Sequence, residues 1–280
     1  MIQYGDLPEK YSDKDQSAIV IVPVPYDITG TWIRGADRGP QALLEASANM
    51  ELYDIETETE VYKQGIYTDE FISVSAPPEA MIEVVSKRVY SWLDRDKFVV
   101  TLGGEHTISI GSVRAHLQKY PGLSVLQLDA HADLRQEYEG SPYNHACTIA
   151  RIQEWCPVTQ VGIRSMDAEE IRYIHHDRIF LAEKIIKDKQ WIQEVIQTLN
   201  DLVYLTIDLD IFDPSIMPST GTPEPGGLEW YTVLDLIREV IKEKDLIGFD
   251  IMELCPDNNN KAPDFLAAKL LYKILSYRFS

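Results

Sequence analysis

The stretch Leu123-Ser124-Val125-Leu126-Gln127-Leu128-Asp129-Ala130-His131-Ala132-Asp133 passes from an apolar run directly into a cluster of metal-ligand residues. The run reads as a buried strand, and the acids begin where that strand would leave its sheet. Two similar junctions occur elsewhere. Leu202 to Ile207 runs into Asp208-Leu209-Asp210, and Phe98 to Leu102 runs through Gly103-Gly104-Glu105 to His106. Open α/β sheets bind ligands outside the carboxyl ends of their strands, so the three clusters are expected to converge there.

Residues two apart in an extended segment point the same way, which groups Asp129, His131 and Asp133, and separately Asp208 and Asp210. With His106 this makes four aspartates and two histidines, more than one ion needs. If two aspartates bridge, each of two metals takes four protein contacts and keeps an open position for water, the composition of a two-metal hydrolytic centre. Oxygen-rich, thiol-free ligation favours Mn²⁺ over Zn²⁺, with Fe²⁺, Co²⁺ and Ni²⁺ also compatible. A single aspartate at a strand end is ordinarily a helix cap or a salt-bridged turn. Three such clusters side by side need cations to stay ionised.

Outward from these junctions, apolar runs alternate with helical patterns. Strands are expected at 18–24, 98–102, 123–128, 158–163, 202–207 and 246–252, with a weaker one at 178–180; helices at 40–50, 78–95, 108–120, 145–155, 168–175, 184–200, 228–244 and 262–277. This alternation implies an α/β fold with a parallel sheet covered on both faces. No linker or repeat divides the 280 residues, so one domain over 1–280 is expected. The charged start, Met1 to Gln16, lacks the apolar core of a secretory signal, and no run approaches the ~20 residues that span a membrane. A cytoplasmic protein without membrane contact is expected, its cysteines 147, 156 and 255 reduced. The glycines at 30, 35 and 39 are wrongly spaced for a dinucleotide loop. Twenty-six basic against 45 acidic residues give a net charge of −19, which repels nucleic acid and suits a cationic substrate.

Gly103-Gly104-Glu105-His106, Asp129-Ala130-His131-Ala132-Asp133, Asp208-Leu209-Asp210 with Asp213-Pro214, and Asp250-Ile251-Met252-Glu253 occur in the order that resembles the ureohydrolases, the family of arginase and agmatinase, from about Pro23 onward. The resemblance implies a three-layer α/β/α sandwich with a mostly parallel central sheet, a binuclear manganese cluster and assembly into trimers or hexamers. Carried over by position, it implies one Mn²⁺ on His106, Asp129, Asp133 and Asp208, and a second on His131, Asp129, Asp208 and Asp210. It also makes Glu253 the anchor of a substrate guanidinium and His145 a proton shuttle or orienting group. A guanidinium resists neutral water, and two cations sharing one water supply hydroxide near neutral pH. Glu253 would aim the guanidinium carbon, Asp133 would hand a proton to the leaving amine, and urea and an amine would result.

The segments Leu134 to Gly140 and Tyr143 to Cys147 look more like agmatinases than arginases. Glu137 and Glu139 make an acidic rim that favours agmatine, a dication, over zwitterionic arginine. Arg135 is expected to pair with one of those glutamates; its other reading is a clamp for a substrate carboxylate, as guanidinobutyrate or formimidoylglutamate would require. Aminopropyl-agmatine, a longer polycation, would suit an acidic mouth equally well, and free guanidine is a further candidate. The rival classes are a non-catalytic, metal-stabilised interaction protein on the same fold and a two-metal phosphoesterase. The first is opposed by the full ligand set, the second by having only Arg135 for a phosphate.

Overall fold

The computed structural model describes residues 2–280. Eight strands form one sheet: β1 (Ile19–Val24), β2 (Ile66–Thr68), β3 (Phe98–Gly103), β4 (Ser124–Leu128), β5 (Val158–Ile163), β6 (Ile179–Leu181), β7 (Leu202–Asp208) and β8 (Asp245–Met252). Their order is β2-β1-β3-β8-β7-β4-β5-β6, and every pairing between them is parallel. The expected α/β class holds, with a sheet parallel throughout. β2, a three-residue edge strand, was not expected from the sequence, whereas the equally short β6 at the other edge was.

Eight helices connect the strands: α1 (Gly39–Ser47), α2 (Pro78–Leu93), α3 (Ile108–Lys119), α4 (Thr148–Ile152), α5 (Ala182–Ile185), α6 (Trp191–Thr198), α7 (Trp230–Glu243) and α8 (Ala262–Phe279). Side chains that alternate along the strands separate two cores. Val203, Leu205 and Ile207 pack with α1, α6, α7 and α8, whereas Tyr204 packs with α2, α3 and α4. Strands buried on both faces explain the near-continuous apolar runs in the sequence.

Three expected helices are shorter or broken, each where polar side chains take backbone N–H groups. Asn144 caps the amide of Ala146, so His145–Cys147 is a 3₁₀ turn before the short α4. At 168–175 only Glu170–Tyr173 turns, because Asp167 accepts from the Glu169 amide and Glu170 from the Asp167 amide. The expected helix at 184–200 splits into α5 and α6 where Asp188 accepts from the Gln190 amide.

A polar row crosses the middle of this apolar sheet. Thr101 on β3 aligns with Asp250 on β8, Asp250 with Thr206 on β7, Thr206 with Gln127 on β4, and Gln127 with Gln160 on β5. All five are buried. Buried polar groups must be bonded or they cost stability, and this row lies one or two residues below the strand ends that carry His106, Asp129, Asp208 and Glu253.

Candidate metal centre and substrate pocket

Four adjacent central strands, β3, β8, β7 and β4, deliver the site residues at their carboxyl ends. His106 follows β3, Glu253 follows β8, Asp208 ends β7 and Asp129 follows β4. Asp133 and Glu253 hold positive φ angles of 53° and 66°. Such backbone costs about 1–3 kcal/mol for a non-glycine residue and clusters at functional sites. The Glu253 amide donates to Gly104 O at 2.8 Å and its Oε1 accepts from the His106 amide at 2.7 Å, which ties the ends of β3 and β8 together.

Two triads of ligand-grade atoms result, each set lying within 4.8 Å of one another: His106, Asp129 and Asp208, and Asp129, His131 and Asp210. Asp129 is common to both. Asp133 Oδ2 joins the first, 3.1 Å from His106 Nδ1. Asp208 belongs to the first triad, and its carboxylate also accepts from the Asp210 amide at 3.0 Å, which keeps it beside the second.

The donor set fits cations. His106 Nδ1 is fully buried and makes no hydrogen bond, although Asp129 Oδ2 and Asp133 Oδ2 lie 3.1 Å and Asp208 Oδ2 3.6 Å from it. On the other side of the ring, Nε2 lies 2.9 Å from Thr206 Oγ1, and the Thr206 hydroxyl donates to Asp250 Oδ1 at 2.6 Å. Thr206 has one proton and gives it to the carboxylate, so the ring donates from Nε2 and turns Nδ1 to the acids, which, against its burial, lift His106 well above its ordinary value. Tyr204 donates to the second Asp250 oxygen at 2.8 Å. Gln127, in the same polar row, donates to Asp129 Oδ2 at 2.7 Å and is itself held by Gln160 at 2.7 Å.

The electrostatics are those of acids short of positive charge. Burial, then Asp210 and Asp133, push Asp129 up to about 7. Burial, then Asp210 and Asp129, raise Asp208 well above the usual carboxylate range. Glu253 is raised by burial and by Glu105. Only Asp210 is held low: burial opposes it, but His131 at 2.8 Å, the Ala130 amide and Arg164 bring it to about 2. Arg164 also donates to the carbonyls of Asp210 and Glu224, fastening the 210–224 loop over the site.

The pocket over these residues has a volume of about 330 Å³, and its lining includes Asp27, Trp32, His131, Asp133, Arg135, Tyr138, His145, Asp167, Glu170, Asp210 and Glu253. Arg135 does not pair with Glu137 or Glu139. Its guanidinium bonds Asp167 at 3.1 Å and lies over the Tyr138 ring at 4.9 Å, because the 131–135 segment is held beside Ser165, which brings Asp167 closer than its own loop's acids. Glu137 is exposed and absent from the lining, a correction to its expected place at the substrate. Asp167 and Glu170 stand there instead. Glu170 is buried and accepts from the Leu134 amide at 2.7 Å and the Asp167 amide at 2.6 Å. Thr29, Thr206 and Glu170 were not expected at the site, and Asp250 stood in a quoted motif without a role; an acid inside an apolar strand was the available signal.

Comparisons with known proteins agree with this geometry. A model of the arginase family matches residues 17–276. The N(1)-aminopropylagmatine ureohydrolase of Synechocystis sp. is 40% identical over 273 residues, spanning 93% of this chain and 89% of that protein. The enzyme of the same name from Thermus thermophilus is 36% identical over 274 residues, spanning 96% and 93%. Among solved structures, the agmatine ureohydrolase of Thermoplasma volcanium superposes with a TM-score of 0.89 at 29% identity, covering 99% of this chain and 94% of that one.

Proposed function

The chain belongs to the arginase family and is a hydrolase of guanidino or amidino groups, and from that premise we propose that it cleaves N1-aminopropylagmatine into urea and spermidine, using two Mn²⁺ ions. The observation that carries the substrate class is the charge of the pocket wall. Beyond the metal ligands it presents Asp27, Asp167, Glu170 and Glu253, and the one arginine or lysine among the described lining residues, Arg135, is engaged by Asp167. A carboxylated substrate finds no free cation there; a linear polycation finds acid. The aminopropyl arm, in preference to agmatine alone, is supported by the names and by the 40% and 36% identities of the two ureohydrolases.

His106, Asp129, Asp133 and Asp208 would hold one ion, and His131, Asp129, Asp208 and Asp210 the other. Carboxylates and imidazoles without thiolate suit Mn²⁺. Bound there, the ions supply Lewis acidity and lower the pKa of water toward neutrality. Glu253 receives the guanidinium through charge-assisted hydrogen bonds, which relieve a carboxylate otherwise disfavoured by burial, and so orients the carbon to be attacked. Asp133 lies beside His106 and in the pocket wall, placed to pass a proton to the departing amine, and His145 lines the route to solvent.

The test is urea release from N1-aminopropylagmatine, agmatine, arginine, guanidinobutyrate, guanidine and formimidoylglutamate in parallel, with Mn²⁺ supplied. We expect kcat/KM for aminopropylagmatine to exceed that for agmatine by about tenfold, the worth of one additional well-placed ion pair. Equal or reversed preference would return the assignment to agmatine, and hydrolysis of a carboxylated substrate alone would overturn the reading of Arg135.

A further inference from the structure

Glu105 is a buried acid for which the proposed reaction has no use, and among the described residues no lysine or arginine pairs with it. Its position follows from Gly104. A Cβ at Gly104 would stand 2.1 Å from Tyr26 O, so only glycine lets the end of β3 run against the 26–29 segment. The Glu105 amide then donates to Tyr26 O at 2.9 Å, and its carboxylate meets Thr29. Glu105 Oε2 accepts from the Thr29 amide at 2.5 Å, and Oε1 accepts from the Thr29 hydroxyl at 2.9 Å.

Thr29 in turn touches His145 twice. The hydroxyl oxygen accepts from the His145 amide at 3.1 Å and lies 3.1 Å from the ring Nδ1. A threonine hydroxyl has one proton and two lone pairs. The proton goes to the carboxylate and one lone pair takes the backbone amide, so the contact with Nδ1 closes only if the ring donates. We infer that Thr29 and Glu105 are positioning residues that fix His145 as the Nδ1–H tautomer, leaving Nε2 as the proton-accepting atom for the pocket that His145 lines.

The same construction holds His106 from the opposite nitrogen: Nε2–H to Thr206 to Asp250, with Nδ1 left for the metal. A histidine, a threonine and a buried carboxylate thus occur twice, once to present a ligand and once to present a proton acceptor. Burial pushes His145 below its ordinary value, so near pH 7 the ring is neutral and its single N–H must choose one nitrogen.

The inference rests on the ureohydrolase reading for its consequence, but its test is separable. Long-range ¹H–¹⁵N correlation spectra of histidine-labelled protein, loaded with diamagnetic Zn²⁺, distinguish the two tautomers, and His145→Asn identifies the His145 signals. We expect the Nδ1–H pattern in the native protein and in Thr29→Ser, and its loss in Thr29→Val. With Mn²⁺ and aminopropylagmatine, Thr29→Val should lower kcat about 10- to 100-fold with KM nearly unchanged and alter the acid limb of the pH profile; Thr29→Ser should restore both. An Nε2–H pattern in the native protein overturns the inference, as does a Thr29→Val variant that loses activity yet keeps Nδ1–H. A correct tautomer in a protein that releases no urea overturns the functional reading and leaves this one standing.

Discussion

Two clusters of charge reach into the buried parts of this molecule, and they are neutralised in opposite ways. Behind α8, Lys273 bonds Asp54 at 3.0 Å and Glu56 at 2.6 Å, while Arg238 and Tyr277 donate to the same glutamate at 2.7 Å each. Burial there works against both acids, yet Glu56 is drawn down to about 2 by Lys273, Tyr277 and Arg238, and Asp54 is lowered by the Thr57 amide and Lys273. At the strand ends, Asp129, Asp208 and Glu253 are pushed the other way. The first cluster carries its own cations and pins the 54–57 turn to the last helix. The second has more acid than its two histidines can balance, which marks it as a receptor for cations from outside the chain.

Removing an acid from each cluster should therefore have opposite consequences, and the largest effect falls at the metal centre. Asp129→Ala takes the residue common to both triads. After loading with Mn²⁺ we expect loss of most bound metal by elemental analysis and a fall in turnover of more than about a thousandfold. The same change relieves repulsion among the remaining carboxylates, so the metal-free variant should melt no lower than the metal-free native chain. A variant that keeps two ions and its activity would break the contrast. Glu253→Gln is the next step down. It should retain both ions but lose about 100- to 1000-fold in kcat/KM, because a neutral amide no longer meets the guanidinium with opposite charge. Unchanged kinetics would remove Glu253 from the substrate.

At the self-neutralised cluster the readout is stability. Lys273→Met leaves Asp54 buried with no cation, and we expect a loss of about 3 kcal/mol in denaturant unfolding with metal content and kcat unaffected. The sign of the acid response follows from Glu56. Its folded value lies below its ordinary one near 4.5, so the stability it contributes is complete above that value and lost as pH falls toward about 2. Glu56→Gln should flatten the decline in stability between about pH 4.5 and 2. An unchanged acid limb would show that the cluster is not what holds the turn.

The contrast was only half legible in the sequence. Asp129, His131, Asp133, Asp208 and Asp210 stand at the ends of apolar runs, and that local signal led to the parallel sheet and to the site together. The second cluster joins residues 54 and 56 to 238, 273 and 277, and no local pattern links positions more than 180 apart. Glu137 was misplaced for a related reason: nearness along the chain suggested a rim, whereas the bridge between His131 and Ser165 brought Asp167 to Arg135 instead. Helix ends failed where Asn144, Asp167, Glu170 and Asp188 capture backbone amides, competition that hydrophobic periodicity does not register.

Arg135 tests the boundary between the two regimes. Its partner Asp167 is chain-supplied, as in the second cluster, yet the pair stands in the wall of the cation-seeking pocket, with the two side chains 33% and 37% exposed. Ion pairs so exposed are worth about 0–1 kcal/mol, so the bridge adds little to folding. Its influence is on charge at the mouth. Arg135→Ala frees Asp167, and a polycationic substrate should then bind as well or slightly better, with KM for aminopropylagmatine falling by up to about threefold at low salt, converging with the native value as salt is added, and kcat unchanged. A rise in KM would mean that Arg135 positions the substrate itself, through its stack on Tyr138, and that the pocket wall works as a shaped surface more than as a field of negative charge.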